Sequence, residues 1–492
     1  MATTTEIAAR REKMLVGGEW VDAADGRTFD VESPAHRGSV IARAPRAGVA
    51  DVDRAVKAAA VAFPAWRAVA PRDRGRILGR IADDLDAAIE DLARTLASET
   101  GNALRTQARP EAKTTADVFR YFSGLGGELK GETIPLGESM FSYTRREPLG
   151  VVAAIVPWNV PILISAWKIA PALIAGNTVV LKPSQNAPLA ALALARLCQQ
   201  HLPKGVLNVV TGTGDEVGTP LAEHPQVAKI SFTGNTETGR AILRLAADRI
   251  IPVTLELGGK SPQVLFPDAD SEATADGVIA AMRFARQGQS CTAGSRLFLH
   301  KTVFDSFLDK LATKLRKMRV GDPLDEASDM GAIVSRQQFE RVVGFIDEGV
   351  HQQGAHTVIG GLPPKEGPLA EGYYVEPTVI ANVRNDWRIA KEEIFGPVLV
   401  SIPWSDETEA IKMANDTHYG LAAYVWSRDI SRALRTAHAI DAGWVQVNQG
   451  IGQVVGQPYG GFKESGLGRE NSLEGMLEGF TQRKSVTINL NY

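Results

Sequence analysis

The sequence contains little cysteine and no surplus of charge of either sign. Among 492 residues the only cysteines are Cys198 and Cys291, too few for a disulfide framework or for a zinc site of four cysteines. Lys and Arg number 54 and Asp and Glu number 57, which gives a net charge of −3. Nucleic-acid binders and membrane-surface proteins usually carry a basic surplus. We therefore expect neither a nucleic-acid nor a membrane partner, and we predict no metal site.

A signal peptide and a membrane-spanning run are also missing from the pattern. The N-terminal segment MATTTEIAARREKML has no apolar run behind its basic residues. The apolar segment from Val151 to Trp167 is interrupted by Pro157, Asn159 and Pro161, so a spanning helix would leave polar groups unsatisfied in hydrocarbon. We interpret it as a buried strand followed by a loop and a helix, and we predict a cytoplasmic location.

Apolar strands alternate with helices along most of the chain. The segments LGVVAAIV, NTVVLK, VLNVVT and AKISFT are near-continuous apolar strands between residues 149 and 233, typical of a parallel sheet covered on both faces. They predict a doubly wound, nucleotide-binding type of architecture. A second α/β unit, with strands at QVLF, RLFLH, VLVSIP and AAYVWS, extends from about Leu257 to Ala442. Upstream, apolar residues at spacings of three and four from Leu78 to Leu96 predict one long helix that stops at Gly101.

Two single residues fit chemical roles, and each also has a plainer interpretation. Cys291 follows a Gly-containing turn among small residues, an arrangement that a nucleophilic thiolate needs, although a structural cysteine is favoured on this segment alone. Glu256 is a carboxylate in an apolar strand that runs into two glycines, where a raised pKa would suit a general base. A strand-end salt bridge explains Glu256 equally well. Cys198 lies on a predicted helix, where a structural thiol is favoured.

Two further segments fit cofactor or oxyanion roles. The Asn159 amide, between two prolines, could donate to a developing oxyanion, but a turn-forming Asn is favoured in isolation. Glu393 precedes Phe395 and a Gly-Pro turn and could hold a ribose hydroxyl, but a plain loop is favoured in isolation. The glycine segment 212–218 is explained equally well by a glycine-eased turn and by a backbone wall beside a nucleotide.

Seven motifs stand in an order that resembles the NAD(P)-dependent aldehyde dehydrogenase superfamily, and the resemblance covers nearly the whole chain. They are PWN at 157–159, LKPS at 181–184, FTGNTETG at 232–239, LELGGK at 255–260, GQSC at 288–291, EEIFGPV at 392–398 and GGFKESGLGRE at 460–470. Any one of these motifs alone would be weak, whereas the ordered set is highly specific.

The resemblance implies a mechanism for oxidising an aldehyde to its carboxylic acid. Cys291 would attack the aldehyde carbon, and the oxyanion would be held by the Asn159 side chain and the Cys291 backbone N–H. Hydride transfer to the nicotinamide would leave a thioester, which Glu256 would hydrolyse by activating a water. Because the CoA-acylating branch lacks that glutamate, Glu256 favours the hydrolytic, non-acylating branch. A CoA-acylating semialdehyde dehydrogenase is the alternative.

The cofactor implied by the resemblance is NAD or NADP. Lys182 would contact the adenosine ribose, Glu393 would hold the nicotinamide-side ribose, and the helix after Gly234 would face the pyrophosphate. Gln185 stands where NAD-preferring members often carry Glu, and because a neutral amide does not repel a 2′-phosphate, Gln185 permits NADP. The predicted cofactor contacts are Ile155, Val156, Pro157, Trp158, Lys182, Ser184, Gln185, Gly214, Gly218, Phe232, Gly234, Asn235, Leu257, Gly258, Glu393 and Phe395.

The residues that flank the catalytic positions are small or apolar apart from one tryptophan, which predicts an uncharged aliphatic or aromatic aldehyde as substrate. Arg286, five residues before Cys291, is interpreted as part of a surface salt bridge, with contact to a substrate carboxylate as the alternative. The predicted substrate pocket consists of Val160, Leu163, Trp167, Ser290 and Thr292.

The resemblance also divides the chain. It implies an α/β fold with a Rossmann-like NAD(P)-binding domain at 1–123 and 147–256, and an α/β catalytic domain at 257–446. The polar, β-like segment 124–146 and the tail 470–492 would form a small β oligomerisation arm. We therefore expect a homo-oligomer, a tetramer or a dimer.

Overall fold

Two large sheets with parallel strands, flanked by helices, form the framework of the chain, which confirms the predicted α/β class. The computed structural model describes residues 10–491. Residues 1–9 of the predicted cofactor domain and residue 492 of the predicted tail lie outside this range. In the first sheet five neighbouring strands are parallel and the edge strands are antiparallel. The strand order is Gly466–Leu467, Val253–Glu256, Val227–Thr233, Val151–Ile155, Thr178–Lys182, Leu207–Val209, Met14–Val16, Glu19–Val21.

The second sheet is also mostly parallel, and its four predicted strands lie side by side. Only its first edge strand is antiparallel to its neighbour. The strand order is His356–Ile359, Thr378–Ala381, Val398–Trp404, Arg296–His300, Pro262–Leu265, Ala422–Trp426, Trp444–Val447. Because the short strand Gly466–Leu467 pairs with Val253–Glu256, the chain returns to the first sheet after completing the second.

Three small sheets complete the β-structure. In one of them the C-terminal strand Thr481–Asn489 pairs antiparallel with Met140–Pro148, which in turn pairs with Thr133–Pro135. The segments predicted as arm and tail therefore pair with each other within one chain. The other two sheets consist of Arg10–Arg11, Val40–Pro45 and Thr28–Glu32, and of Tyr419–Gly420 with Phe462–Lys463.

The prediction of one long helix from Leu78 to Gly101 is wrong in one respect. The segment consists of two helices, Pro71–Ala87 and Ile89–Thr100, interrupted at Ala88, where ψ is 11° rather than helical. Both helices pack against the helix Arg109–Ser123, so the interruption lets each apply its apolar face to the same partner. The predicted stop is confirmed, because Gly101 ends the second helix in the left-handed conformation with φ +77°.

The remaining helices pack on the faces of the sheets or on the helices that cover them. They are Val49–Ala68, Arg109–Ser123, Pro161–Ala175, Leu189–Gln199, Thr219–Glu223, Thr236–Ala247, Glu272–Met282, Phe304–Leu315, Arg336–Val350, Arg388–Lys391, Glu407–Asn415, Ile430–Ala439 and Leu473–Gly479.

The apolar segment from Val151 to Trp167 forms the strand, loop and helix that its sequence predicts. The strand Val151–Ile155 and the helix Pro161–Ala175 are buried throughout. The helix lies between the first sheet and the helices Pro71–Ala87 and Arg109–Ser123. Its apolar residues therefore contact protein on every side. Within residues 10–491, no helix is both long enough and apolar enough to cross a membrane.

Candidate functional site

A cleft of about 890 Å³ opens where the parallel strands of the first sheet end, facing residues of the second α/β unit. Its walls include strand-end residues such as Ile155 and Lys182 on one side and Cys291 on the other. The carboxyl ends of parallel strands are the usual place for a bound nucleotide in doubly wound sheets. The predicted cofactor contacts that line the cleft are Ile155, Val156, Pro157, Trp158, Lys182, Ser184, Gly214, Gly218, Phe232, Gly234, Asn235, Leu257, Gly258, Glu393 and Phe395.

Gln185 is the predicted cofactor contact that does not line the cleft. Its side chain is exposed, next to the cleft-lining Ser184 but outside the cleft wall. Residues that sequence reasoning missed also line the cleft, among them Arg240, Gln338 and Arg341. These polar residues carry no local motif, so only the packing of the two sheets identifies them.

One end of the cleft combines a buried cation with a helix N-terminus. Lys182 ends its strand with its side chain 5% exposed, donates from Nζ to the Pro183 carbonyl at 3.1 Å, and has its pKa lowered to about 8 by burial. Asn235 caps the helix Thr236–Ala247 by accepting the Thr238 N–H at 2.7 Å. The free N–H groups of a helix N-terminus and its dipole favour an anion. The glycine segment adds a π-helical turn, Gly214–Gly218, to this wall.

The other end of the cleft is held by Glu393 and Phe395. Glu393 accepts the Gly259 N–H at 2.9 Å, and burial raises the pKa of Glu393 to about 7. Phe395 has a left-handed backbone with φ +59°, which costs a non-glycine residue about 1–2 kcal/mol. Gln338 fixes this strained turn by donating from Nε2 to the Phe395 carbonyl at 2.9 Å. The Phe395 ring meets the Trp158 ring edge to face, with centroids 5.2 Å apart.

Cys291 lies in an irregular turn that depends on a glycine at position 288. Gly288 has φ +63°, and a Cβ there would lie 2.1 Å from the Gly396 carbonyl oxygen. Gln289 anchors the turn by accepting the Val334 N–H at 3.1 Å. Among residues 10–491 the Cys291 backbone N–H donates to no backbone carbonyl, so it is available to an incoming oxyanion. Burial raises the pKa of the Cys291 thiol to about 11.

The Asn159 amide lies beside this turn. Its side chain is 4% exposed and donates from Nδ2 to the Gln289 carbonyl at 3.0 Å. The backbone carbonyl of Asn159 accepts a hydrogen bond from Asn102 Nδ2 at 3.0 Å. Since a primary amide carries two N–H groups, one remains for another acceptor. The structure therefore brings Asn159 and Cys291 together around one turn.

Glu256 is buried near the thiol without a partner. It ends the strand Val253–Glu256 with its side chain 3% exposed, and both carboxylate oxygens lack a hydrogen-bond partner in the described part of the chain. Burial raises the pKa of Glu256 well above its ordinary value, Glu470 raises it further, and Lys168 opposes the shift. The salt-bridge interpretation is wrong. A carboxylate with a raised pKa is a stronger base than an ordinary one, which suits a general base.

A buried ion pair lies behind Glu256. Lys168 Nζ and Glu470 Oε1 are 2.8 Å apart with both side chains 0% exposed, and Ser231 Oγ donates to the same oxygen at 2.8 Å. A second buried cation, Lys229, donates to Thr254 Oγ1 at 2.5 Å, and burial lowers the pKa of Lys229 to about 7. Sequence reasoning missed these residues. Charged residues inside apolar runs, as in ILISAWKIAP and AKISFT, were the signal that could have identified them.

The predicted substrate residues are buried and lie outside the cleft wall. Their exposures are 6% for Val160, 9% for Leu163, 3% for Trp167, 5% for Ser290 and 1% for Thr292. Trp167 packs against the ring of Tyr459, with centroids 5.2 Å apart, and the Tyr459 hydroxyl lies 3.4 Å from Cys291 Sγ. Sequence reasoning missed Tyr459, which directly precedes the GGFKESGLGRE motif.

Arg286 is not part of a surface salt bridge, so that interpretation is wrong. Its side chain is half-buried and donates from Nε to the Gln107 side-chain oxygen at 2.8 Å. Burial lowers the pKa of Arg286 to about 10, partly opposed by the nearby Glu111 carboxyl. The Glu111 carboxylate itself accepts the Ile162 N–H at 3.1 Å, at the start of the helix Pro161–Ala175. Arg286 therefore belongs to the interior near the thiol.

Comparisons with known proteins agree with this geometry. The family model described as "Aldehyde dehydrogenase family" matches residues 20–486. The NAD+ complex of an aldehyde dehydrogenase from Bacillus cereus is 38% identical, with coverage of 98% of this chain and 97% of that one and a TM-score of 0.94. A point mutant of betaine aldehyde dehydrogenase from Staphylococcus aureus, with NAD+ and a BME-modified cysteine, is 36% identical over 98% of each chain, with TM-score 0.94. PnpE from Pseudomonas sp. WBC-3 is 41% identical over 98% of each chain, also with TM-score 0.94.

Proposed function

Because the chain belongs to the aldehyde dehydrogenase family and is an NAD(P)-dependent aldehyde dehydrogenase, we propose that it works through a covalent intermediate on Cys291 that water hydrolyses. The observation that carries this proposal is the convergence of three groups from separate elements. They are the Cys291 thiol, the Asn159 amide beside its turn, and the unpartnered Glu256 carboxyl. Nucleophile, oxyanion donor and base are the set that acyl chemistry at a thiol requires.

The first step uses Cys291 and Asn159. The Cys291 thiol loses its proton to water, the thiolate attacks the aldehyde carbon and forms a C–S bond, and the C=O electron pair moves to the oxygen. The free second N–H of the Asn159 amide and the Cys291 backbone N–H stabilise this oxyanion. Removal of one such donor typically slows a reaction by about 10²–10³-fold. The turn at Gly288 keeps both donors in place.

The residues of the cleft fit a dinucleotide. The cleft volume of about 890 Å³ is within the range of cofactor sites, Lys182 would hold the adenosine ribose, and the N-terminus of the helix Thr236–Ala247 would hold the pyrophosphate. Glu393, kept in place by the Gly259 N–H, would bind the second ribose. The nicotinamide supplies an acceptor for the hydride that leaves the substrate carbon.

The last step uses Glu256. Its carboxylate takes a proton from a water molecule, whose oxygen attacks the thioester carbon, and the C–S bond breaks with its electron pair on sulfur. This releases the carboxylic acid and regenerates the thiolate. The desolvated carboxyl is a stronger base than an exposed one because burial disfavours its charged form.

The test is an initial-rate assay with NAD and NADP on aliphatic, aromatic and carboxylated aldehydes, with and without CoA. We expect acid formation without CoA and the highest kcat/KM on uncharged aldehydes. A strict CoA requirement would instead identify the CoA-acylating alternative. Arg286 lies near the thiol, and no carboxylate within residues 10–491 is bonded to its guanidinium. Carboxylated aldehydes are therefore included to test whether Arg286 binds a negatively charged substrate.

The cofactor preference is proposed to depend on Gln185. Its exposed neutral amide does not repel a 2′-phosphate, so NADP is used at a measurable rate. Gln185→Glu should lower the ratio of NADP to NAD use by roughly 5–10-fold, because a like-charge contact at an exposed site costs about 1 kcal/mol. The effect should shrink at high salt. The exposed Gln200→Glu, just after the helix Leu189–Gln199, is the matched control and should leave the ratio unchanged.

We propose that the chain assembles through the three-stranded sheet of Met140–Pro148, Thr133–Pro135 and Thr481–Asn489. Large apolar side chains on and beside this sheet are exposed in the single chain, at 39% for Ile134, 44% for Phe141 and 42% for Ile488. Exposed apolar residues clustered on one element mark an interface. Light scattering should give the mass of a dimer or tetramer, and Phe141→Asp should reduce it.

We also propose the domain division predicted from the sequence, with a cofactor domain at 1–123 and 147–256 and a catalytic domain at 257–446. The division of the longer parallel strands between the two large sheets supports it, and the pairing of Gly466–Leu467 with Val253–Glu256 supports placing that short segment with the cofactor domain.

A further inference from the structure

We infer that Tyr459 is a further catalytic residue, whose hydroxyl donates a hydrogen bond to the Cys291 thiolate and stabilises it. The Tyr459 oxygen lies 3.4 Å from Cys291 Sγ, within hydrogen-bond distance for sulfur. This inference rests on the proposed role of Cys291 as the nucleophile. Tyr459 is far from Cys291 in the sequence and belongs to none of the motifs that identify the site.

The position of the Tyr459 hydroxyl is fixed from several sides. Its ring is 2% exposed and packs against Trp167 and Trp444, with centroids 5.2 and 6.1 Å away. The Tyr459 N–H donates to the Glu470 carbonyl at 3.1 Å, and the Tyr459 carbonyl accepts the Glu470 N–H at 2.8 Å. A group held by packing and by backbone pairing is preorganised, so it loses little entropy when it bonds to sulfur.

The direction of the hydrogen bond follows from the protonation states. A neutral thiol could donate to the tyrosine oxygen, but a thiolate can only accept, so the phenol O–H then donates. Burial raises the pKa of Tyr459 well above its ordinary value, and the phenol keeps its proton throughout the useful pH range. When the S–H bond breaks, the electron pair stays on sulfur and the proton leaves to water.

Four groups on other elements face the thiol and set its ionisation together with burial. Burial raises the pKa of the thiol, the Glu393 and Glu256 carboxylates raise it further, and Tyr459 and Arg286 lower it. Tyr459 is the one that touches the sulfur. A hydrogen bond to the charged form favours that form, so loss of the hydroxyl should leave less thiolate at every pH below the midpoint.

The test compares Tyr459→Phe with Tyr424→Phe in the full chain. Tyr424 is the matched control, because its fully buried hydroxyl donates to the Thr292 carbonyl at 2.8 Å beside the site but does not touch the sulfur. The measurement is the rate of Cys291 alkylation by iodoacetamide against pH, followed by mass spectrometry of the Cys291 peptide. In Tyr459→Phe the midpoint should rise by about one pH unit, a roughly tenfold slower alkylation at fixed pH below it. In Tyr424→Phe the midpoint should stay at the wild-type value.

Two results overturn the role of Tyr459. One is a wild-type midpoint in Tyr459→Phe, and the other is an equal shift in both variants, which would show general repacking. Turnover measured on the same alkylated wild-type samples separates this inference from the proposed function. If turnover survives complete alkylation of Cys291, the nucleophile assignment fails and this inference fails with it. If turnover is lost while the Tyr459→Phe midpoint is unchanged, only the role of Tyr459 is wrong.

Discussion

The two cysteines of this chain occupy opposite kinds of environment. Cys198 lies on the regular helix Leu189–Gln199, fully buried, whereas Cys291 lies in an irregular turn at the wall of the cleft. Burial raises the pKa of both thiols. Within residues 10–491, only Cys291 has a hydroxyl beside its sulfur and an amide donor next to its turn. Access to the cleft and polar neighbours therefore distinguish the thiol proposed as the nucleophile from the one that fills space.

The prediction with the largest expected effect comes from removing each thiol in turn. Cys291→Ala should lower dehydrogenase turnover by at least about 10³-fold, because no other group forms the covalent intermediate. NAD binding, measured by fluorescence titration, should be retained. Cys198→Ala is the control and should keep turnover within about twofold while lowering the free energy of unfolding by about 1 kcal/mol, from lost packing. Substantial turnover in Cys291→Ala would remove the basis of the mechanism.

The next test compares two buried carboxyls, one near Cys291 and one at the start of the helix that carries Cys198. Glu99 accepts the N–H groups of Leu189 and Ala190 at 2.7 and 2.8 Å and so caps the helix of Cys198, whereas Glu256 has no partner in the described chain. Glu256→Gln should slow steady-state turnover by about 10²–10⁴-fold after a burst of one NADH per site.

Glu99→Gln is the matched control for Glu256→Gln, because Glu99 is also fully buried and has its pKa raised, to about 8. It should lower the melting temperature without producing a burst. Stopped-flow absorbance at the NADH band measures both variants. Equal steady-state rates for Glu256→Gln and the wild type would show that another group activates the water.

The prediction with the smallest expected effect concerns how fast each thiol is alkylated in the wild-type protein. The thiolate is the reactive form, and the pKa of Cys291 is raised to about 11. Alkylation of Cys291 should therefore accelerate by about tenfold per pH unit between pH 7 and 10. Cys198 should stay unmodified until the chain unfolds. Peptide mass spectrometry after a short exposure measures both, and faster labelling of Cys198 would reverse the comparison.

Much of the fold was predictable because it depends on local patterns. The run LGVVAAIV is apolar throughout and rich in β-branched valine and isoleucine, which favours a strand in a sheet covered on both faces, and Val151–Ile155 is buried throughout. The left-handed stop at Gly101 follows from the freedom of glycine. The interruption at Ala88 was not predictable, because the apolar spacing from Leu78 to Leu96 continues across it, and it becomes visible only in how both helices pack on the helix Arg109–Ser123.

The site was predictable only where a residue belongs to a motif. LELGGK and GQSC identify Glu256 and Cys291, but the unpartnered state of the Glu256 carboxyl depends on its burial. Arg286 was misinterpreted because a charged residue usually lies at the surface, and here its partner is the Gln107 amide, 179 positions away. The cytoplasmic location and the homo-oligomer stay predictions.

The sequence by itself determined the α/β class, the family, the dinucleotide cofactor and the cysteine proposed as the nucleophile, because alternating apolar runs and contiguous motifs are properties of neighbouring residues. The tertiary structure alone decided which distant groups meet that cysteine. Tyr459 reaches Cys291 across 168 positions, and Lys168 pairs with Glu470 across 302. Such contacts depend on how two sheets and their helices pack, and no local periodicity encodes that arrangement.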